Sequence, residues 1–409
     1  MKPLSLGFLL PTLFLLLHAC DSTSSKQQNQ RETPIAHPPI PASDASSLPY
    51  LLHGADGNLY LSWVEENGSN ATLKYSRLGP DNWTPAETIA SGSDWFVNWA
   101  DYPMIAVDSS GNMIAHFLAK SSVGTYSYDI KMVTKHADSS NWSTPMSPHR
   151  DHTPTEHGFV SMLPLTNQSF LLVWLDGRNT GGAHGSHSGS MTLRTAVVDL
   201  QGNLTEEKEL DNRVCDCCQT TAAMTTEGPL VAYRDRSVDE IRDIAFVTGS
   251  KALWTQPTEV ARDGWQITGC PVNGPRMDSY EESAAIAWFS AANNRPVVKV
   301  AFWDQHSFLD PIVIDAKNPM GRVDIAMIDR ESAIVSWVSG SETPSIMIRT
   351  VSRSGSLSQP IRVTDTSSDR ASGFPQLEIF NNVLYLANTA INEENSRIRL
   401  SKIEIQELF

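Results

Sequence analysis

Short stretches of alternating apolar and polar residues recur along the chain from Leu48 onward. Each stretch is rich in Leu, Ile, Val and aromatic side chains, as expected of a half-buried β-strand. The copies follow one another at about 50 to 60 residues, a spacing typical of propeller blades. The seven copies occupy residues 58–63, 112–117, 170–174, 230–233, 285–288, 334–337 and 383–388.

Each copy has the same surroundings. A preceding strand such as 102–107 leads through a polar turn at 108–112, and a further alternating strand follows the copy. A fourth strand carries Trp-Thr-Pro or a variant, as at 82–85, 141–145 and 253–257. With no convincing amphipathic helix, the chain is predicted to be an all-β propeller of four-stranded antiparallel blades. Seven repeats are counted, and a six-bladed ring with a cap is the alternative.

The last repeat has only three convincing strands, which end near residue 405. A strand near residues 34–41 could supply its missing edge and close the ring, because an unpaired sheet edge is a liability. This possibility favours seven blades.

The N-terminus is typical of an exported protein. Residues 1–20 combine Lys2, an apolar run and the sequence Leu-His-Ala-Cys, which resembles the bacterial lipobox and makes Cys20 the candidate lipidation site. An ordinary secretory signal is the alternative. Residues 21–46 are rich in Ser, Gln, Thr and Pro and are predicted to be a flexible tether to a domain at 47–409. We therefore expect a lipid-anchored protein of the bacterial cell envelope, on either membrane.

Charge restricts the partners. The formal net charge is −15 and no basic run is present, which argues against nucleic acid as a partner. We expect a monomer that contacts the membrane only through its N-terminal lipid and binds a glycan or an acidic small molecule.

Several motifs resemble one protein family. Asp-Asn-Trp-Thr-Pro at 81–85 and the related segment 138–145 resemble degenerate Asp boxes, and the strings at 173–182, 213–220 and 269–275 resemble bacterial exported proteins of the sialidase-like group. The resemblance, to BNR or Asp-box propellers of the exo-α-sialidase family, covers most of residues 48–405. It implies a propeller that handles glycans, and a glycoside hydrolase of exo-sialidase type if the chain is an enzyme.

Propeller topology sorts the loops onto two faces. The side of the propeller that carries the loops between blades, and the loops between second and third strands, is called the first face here. The turns predicted for the opposite face are short, whereas those of the first face hold the unusual residues. Because loops on a rigid scaffold carry function, the first face is the predicted site. Its loops are 94–101, 149–157, 176–187, 215–218, 234–242 and 263–270.

Charged residues on this face are the candidate catalytic groups. The family resemblance implies an arginine trio for a substrate carboxylate, a Tyr-Glu nucleophile pair and an Asp acid/base; a guanidinium suits a carboxylate because it donates two parallel hydrogen bonds. The Phe-Arg-Ile-Pro signature of sialidases is absent, and Tyr280 and Glu281 fall in a turn of the opposite face. Structural ion pairs at strand ends are the alternative. The candidates are Asp176, Arg178, Arg234, Asp235, Arg236 and Arg242.

Four of the five cysteines form a second candidate group. The predicted repeat places Cys215, Cys217, Cys218 and Cys270 at the same point of adjacent blades. Structural disulfides, a copper or zinc site and redox chemistry are all compatible with this pattern. In the metal hypothesis, histidines such as His184 and His187 are additional ligands.

Three functions follow from these observations. The leading hypothesis is binding or hydrolysis of a glycan or small acidic ligand. A metal-binding or redox-linked envelope protein that uses the cysteines is the alternative, and a non-catalytic interaction scaffold is the third.

Overall fold

Seven antiparallel sheets form the blades of a β-propeller in the computed structural model. The structure describes Gly7 and residues 33–166, 168–181, 189–250, 253–392 and 395–409. Blade one contains β1 (Ser46–His53), β2 (Leu59–Asn67), β3 (Asn70–Arg77) and β4 (Glu87–Gly92). Blade two contains β5 (Ile105–Val107), β6 (Met113–Lys120) and β7 (Tyr128–Lys135). Blade three contains β8 (His157–Pro164), β9 (Ser169–Asp176), β10 (Met191–Asp199) and β11 (Leu204–Val214).

The outer edge of the next two blades is divided into two short strands, each paired with the third strand. Blade four contains β12 (Thr221–Thr225), β13 (Gly228–Arg234), β14 (Ile244–Ser250), β15 (Leu253–Trp254) and β16 (Thr258–Glu259). Blade five contains β17 (Arg276–Tyr280), β18 (Ser283–Ser290), β19 (Val297–Asp304), β20 (Ser307–Phe308) and β21 (Ile312–Asp315).

The last two blades complete the ring. Blade six contains β22 (Pro319–Asp329), β23 (Ser332–Ser339), β24 (Ser345–Ser352) and β25 (Ile361–Asp365). Blade seven contains β26 (Gln376–Phe380), β27 (Val383–Ile391) and β28 (Ser396–Glu404). The described residues contain three 3₁₀ helices, at Ala292–Asn294, Arg370–Ser372 and Ile405–Leu408. None of the helices that the structure describes is long and apolar enough to span a bilayer.

The predicted all-β propeller with seven repeats is confirmed, since each predicted copy forms the second strand of one blade. The first strands β1, β5, β8, β12, β17, β22 and β26 contact one another in sequence, and β1 contacts β26, so the inner strands form a closed ring. The Trp-Thr-Pro variant at 253–257 begins with the outer strand β15, whereas the segment at 82–85 was misplaced, because it lies just before the fourth strand. Trp83, for example, bridges Leu78, and β4 begins only at residue 87.

The N-terminal segment pairs with the last blade, as its missing edge suggested. The backbone N–H of Ala36 donates to the carbonyl of Lys402 at 3.0 Å, and the N–H of Lys402 donates back at 2.8 Å. Residues ahead of β1 therefore cover the outer edge of blade seven.

Four blades end their second strand with a buried tryptophan that needs a hydrogen-bond acceptor. The indole rings of Trp63, Trp174, Trp288 and Trp337 are no more than 2% exposed. A buried indole N–H usually finds a polar partner. In each blade a carboxylate accepts it at 2.8–2.9 Å, and these acceptors are Glu65, Asp176, Asp263 and Asp315. Asp176 therefore has a structural partner that recurs around the ring.

Side chains on the first strands, or in the loop just before them, also join neighbouring blades. Each accepts a hydrogen bond from a backbone N–H of the next blade, which satisfies a donor near the propeller axis. The pairs are Asp101 with Phe159 at 2.7 Å, Thr221 with Met277 at 3.0 Å, Asp278 with Met327 at 2.7 Å and Asp324 with Leu377 at 2.8 Å.

Candidate functional site

Three buried thiols meet on the first face between blades three and four. Cys215, Cys217 and Cys218, which we call the thiol cluster, follow β11 and precede β12. Their exposure is 0%, 8% and 1%. The Cys215 sulfur lies 3.4 Å from that of Cys218 and 3.9 Å from that of Cys217, and all three lie within 4.8 Å of one another.

The predicted structural disulfides are not formed. A disulfide requires sulfurs about 2.05 Å apart, whereas the shortest separation in the thiol cluster is 3.4 Å. None of the cysteines that the structure describes, Cys215, Cys217, Cys218 and Cys270, is in a disulfide. The loop brings the three buried sulfurs together as a group and leaves none within bonding distance of another.

Cys270 lies at the edge of the thiol cluster, as the repeat predicted. Contacts with the thiols of Cys215, Cys218 and Cys270 hold the pKa of Cys217 well above its usual value. Cys270 itself is exposed, in contrast to the other three. It therefore stands between the cluster and solvent.

A guanidinium group stabilises the charged form of one thiol. Arg242 Nη1 donates to the Cys215 sulfur at 3.3 Å. Burial alone would raise the pKa of Cys215, but hydrogen bonds with Cys217 and Cys218 and the positive charge of Arg242 outweigh it, so this pKa lies well below its usual value. The cluster therefore favours a thiolate at Cys215.

The arginines of blade four make ion pairs around this cluster. Arg236 pairs with Asp216 at 3.1 Å and with Glu240 at 2.8 Å, and Arg242 pairs with the other oxygen of Glu240 at 2.8 Å. Asp235 accepts the backbone N–H of Arg236, and burial raises its pKa to about 6. These groups form a bonded network and not an open clamp.

The contacts of Arg234 give it a structural role. It is 1% exposed, and its guanidinium donates to the carbonyl oxygens of Asn273, Arg242 and Phe289. Its charge lies 4.8 Å from the ring centroid of Trp265. It therefore ties the end of β13 to the loops of blade five.

Asp176 and Arg178 lie in a separate group on blade three. Arg178 makes a two-pronged pair with Asp176, with both nitrogen–oxygen distances at 2.7 Å. In the described part of the chain, Arg178 shares no ion-pair partner with the blade-four arginines. The six catalytic candidates thus divide into two sites. His184, His187 and Cys20 lie outside the described residues.

Two histidines accompany the blade-three group. The rings of His149 and His157 stack with centroids 3.9 Å apart and planes 4° apart. Their neighbours include Asp129, from β7 of blade two, and Asp151. The sequence placed the loop 149–157 on the first face but gave no reason to connect it with Asp129.

A cavity of about 740 Å³, which we call the axial cavity, is enclosed by the first strands. It is lined by Arg276, Asp278, Asp324 and Glu378, none of which the sequence singled out. Arg276 pairs with Asp324 at 2.9 Å. Burial, followed by the charge of Asp278, holds the pKa of Glu378 well above its usual value.

Aromatic residues of two loops between blades stack on each other on the first face. The rings of Trp99 and Phe374 stack with centroids 5.6 Å apart, and Arg322 lies 5.2 Å from the Trp99 ring. Arg322 also donates to Ser372 at 2.6 Å. The axial cavity extends the other way, toward the turns between first and second strands that hold Ala55, Glu281 and Asn382.

Similar proteins share the fold. No protein-family model matches the sequence, and no curated protein matches it. A protein of unknown function from Dyadobacter fermentans matches 92% of this chain and 99% of its own, with 12% identity and a TM-score of 0.54. The likeness is one of fold alone.

Weaker structural matches include proteins that act on glycans. The α-L-arabinofuranosidase of Fusarium graminearum matches 91% of this chain and 96% of its own, with 13% identity and a TM-score of 0.48. The Hadza microbial sialidase matches 72% of this chain and 63% of its own, with 11% identity and a TM-score of 0.42. These scores give no basis for transferring a reaction or a ligand.

Proposed function

We propose that the chain binds a thiophilic metal ion, copper(I) or zinc, through Cys215, Cys217 and Cys218. The observation that carries this proposal is the gathering of three buried sulfurs within 4.8 Å of one another, with none in a disulfide. Thiolate ligands select copper(I) and zinc over harder ions.

The sulfur separations support this proposal. Zinc–sulfur bonds of about 2.3 Å in a tetrahedral site place neighbouring sulfurs about 3.8 Å apart. The separations of 3.4 and 3.9 Å in the thiol cluster are close to that value. Little movement would be needed to take up an ion.

The surrounding charges also suit a thiolate site. Arg242 contacts the Cys215 sulfur, and Arg236 pairs with Asp216 beside it. Two guanidinium groups would offset part of the negative charge that three thiolates bring, since metal ligation requires deprotonated sulfur. The predicted export of the chain would place this site in the cell envelope.

Metal titration of the purified full chain, with Cys20→Ser to remove the fifth thiol, tests the proposal. We expect one equivalent of copper(I) or zinc to bind, and the double variant Cys217→Ser, Cys218→Ser to lose it while its unfolding temperature in the absence of metal stays near that of the parent. Equal binding by parent and double variant, or no binding by the parent, would contradict the proposal.

Cys270 distinguishes the two ions. Structural zinc sites almost always have four ligands, so Cys270→Ser should weaken zinc binding strongly if Cys270 is the fourth ligand. Copper(I) held by the three buried sulfurs should be retained by the same variant. Parallel titrations with both ions therefore identify the one that the site prefers.

Binding of a glycan in the axial cavity is a second candidate. The cavity is of ligand size, at about 740 Å³, and is lined by Tyr50, Arg276, Asp278 and Glu378. Arg276 is already paired with Asp324, so the remaining carboxylates favour a neutral over an acidic sugar. The raised pKa of Glu378 would keep it protonated and able to donate a hydrogen bond to a sugar oxygen.

Titration calorimetry with neutral and sialylated oligosaccharides tests this second function. We expect a neutral oligosaccharide to bind and Glu378→Leu, which removes the donor, to weaken its affinity by about tenfold, the value of one hydrogen bond. Glu282→Leu, at an exposed turn, is the matched control. Preference for the sialylated sugars, or no effect of Glu378→Leu, would count against the axial cavity.

A further inference from the structure

The thiol cluster is buried, so an ion needs a path from solvent to reach it. Cys215 and Cys218 are 0% and 1% exposed, and Cys217 is 8% exposed. Cys270, in contrast, is exposed, and its thiol contacts that of Cys217. We propose that Cys270 is the exchange residue of the metal site: it takes copper(I) from a donor that holds the ion on thiolates and passes it to Cys217. This inference rests on the proposed function and names the partner of that site.

The loop that carries Cys270 is fixed beside the cluster at two points. Before Cys270 in the chain, the backbone N–H of Ile267 donates to the carbonyl of Glu240 at 2.9 Å. After it, the carbonyl of Asn273 accepts a hydrogen bond from the Arg234 guanidinium at 2.7 Å. Both partners belong to blade four, from which the cluster also enters. The Cys270 thiol is therefore held at the cluster while it stays open to solvent.

Transfer between sulfurs proceeds without release of the ion to water. The thiolate form of cysteine is the metal ligand, and thiolates select copper(I) over harder ions. Cys270 forms one copper–sulfur bond as one bond to the donor breaks, and the proton of the Cys270 thiol goes to the departing thiolate. Cys217 then forms a copper–sulfur bond as that of Cys270 breaks, and its proton returns to Cys270. Each exchange leaves the number of bonds and protons unchanged.

The sulfurs behind Cys217 give the transfer its direction. The Cys215 sulfur lies 3.9 Å from that of Cys217 and 3.4 Å from that of Cys218, so an ion on Cys217 gains two more ligands with little movement. Arg242 Nη1 contacts the Cys215 sulfur at 3.3 Å and offsets part of the added negative charge. The cluster therefore offers more sulfur ligands than the exposed position at Cys270 does.

An exchange residue acts on rates and leaves affinity nearly unchanged. The three buried sulfurs hold the ion at equilibrium, so the loss of Cys270 should change the copper(I) affinity little. The path begins at Cys270, so its loss should slow both loading and release. A permanent fourth ligand would behave differently, because its loss would weaken the affinity itself.

Stopped-flow loading of the full chain with Cys20→Ser tests the inference, with the copper(I)–glutathione complex as donor under anaerobic conditions. We expect Cys270→Ser to slow loading at least about tenfold, because the thiol held beside the cluster is lost. Its copper(I) affinity, measured by competition with a chelator, should stay within about threefold of the parent's. Thr268→Ser changes an exposed residue of the same loop and should load as the parent does.

Equal loading rates for the parent and Cys270→Ser would overturn this inference and leave the proposed metal site standing. An affinity that falls as much as the rate would make Cys270 a permanent ligand and would also overturn it. Absence of copper(I) binding in the parent would overturn the proposed function and this inference together. Since Cys270 is exposed, serine should preserve the fold, and thermal unfolding of the metal-free proteins checks this.

Discussion

Arg234→Met is expected to lower the free energy of unfolding by about 3 kcal/mol or more, because it leaves three carbonyl oxygens without their donor and each such group costs at least about 1 kcal/mol. The wild-type guanidinium donates to Arg242 at 2.6 Å and to Asn273 and Phe289 at 2.7 Å. These bonds connect blade four to blade five, so their loss should loosen both.

Urea denaturation of the wild type, Arg234→Met and Arg234→Lys measures this effect. Lysine retains a positive charge and can reach one or two of the carbonyls, so Arg234→Lys should lie between the other two proteins. A change below about 1 kcal/mol for Arg234→Met would show that the carbonyls find other partners and would refute the structural role.

Acidification from pH 7 to pH 4 is expected to destabilise the wild type more than the variant His116→Asn. His116 is fully buried, and its Nδ1 accepts the backbone N–H of Met104 at 3.2 Å. Burial lowers its pKa from an ordinary value of 6.5 to about 3. Below pH 6.5, His116 therefore binds a proton in the unfolded chain but not in the folded chain. The free energy of unfolding falls by about 1.4 kcal/mol per pH unit until the pKa of His116 in the folded chain is reached.

His116→Asn isolates this contribution. The asparagine oxygen can accept the same backbone N–H but does not titrate, so the variant should lose the acid-dependent part that His116 contributes, even if its stability at pH 7 is lower. The check is the unfolding free energy of both proteins at several pH values. Parallel curves for the two proteins would show that His116 is not the group responsible.

The architecture was predictable from the sequence because propeller blades repeat. The alternation of apolar residues located the second strand of each blade. The missing strand of the last blade pointed to the N-terminal segment, which pairs with Lys402. The fourth strands were harder to place, since residues such as Trp83 lie in an irregular stretch before the strand. Short edge strands have weak sequence patterns because only part of their surface is buried.

The site was only partly predictable. Equivalent positions in adjacent repeats correctly placed Cys270 beside the thiol cluster. Whether the sulfurs pair or gather around one point depends on the path of a short loop, which residue spacing does not determine. The sequence also did not predict the contacts between neighbouring blades. Asp129 meets His149 and His157 only because blades two and three pack side by side, and Arg276 meets Asp324 because blades five and six do so.

X-ray absorption spectroscopy of the full chain with Cys20→Ser, loaded separately with copper(I) and with zinc, tests the central claim most directly. It counts the sulfur ligands of the bound ion. We predict three or four sulfur ligands at about 2.3 Å for the preferred ion, and their loss in the Cys217→Ser, Cys218→Ser variant. A first shell of nitrogen and oxygen alone for both ions would contradict the assignment of the thiol cluster as a metal site.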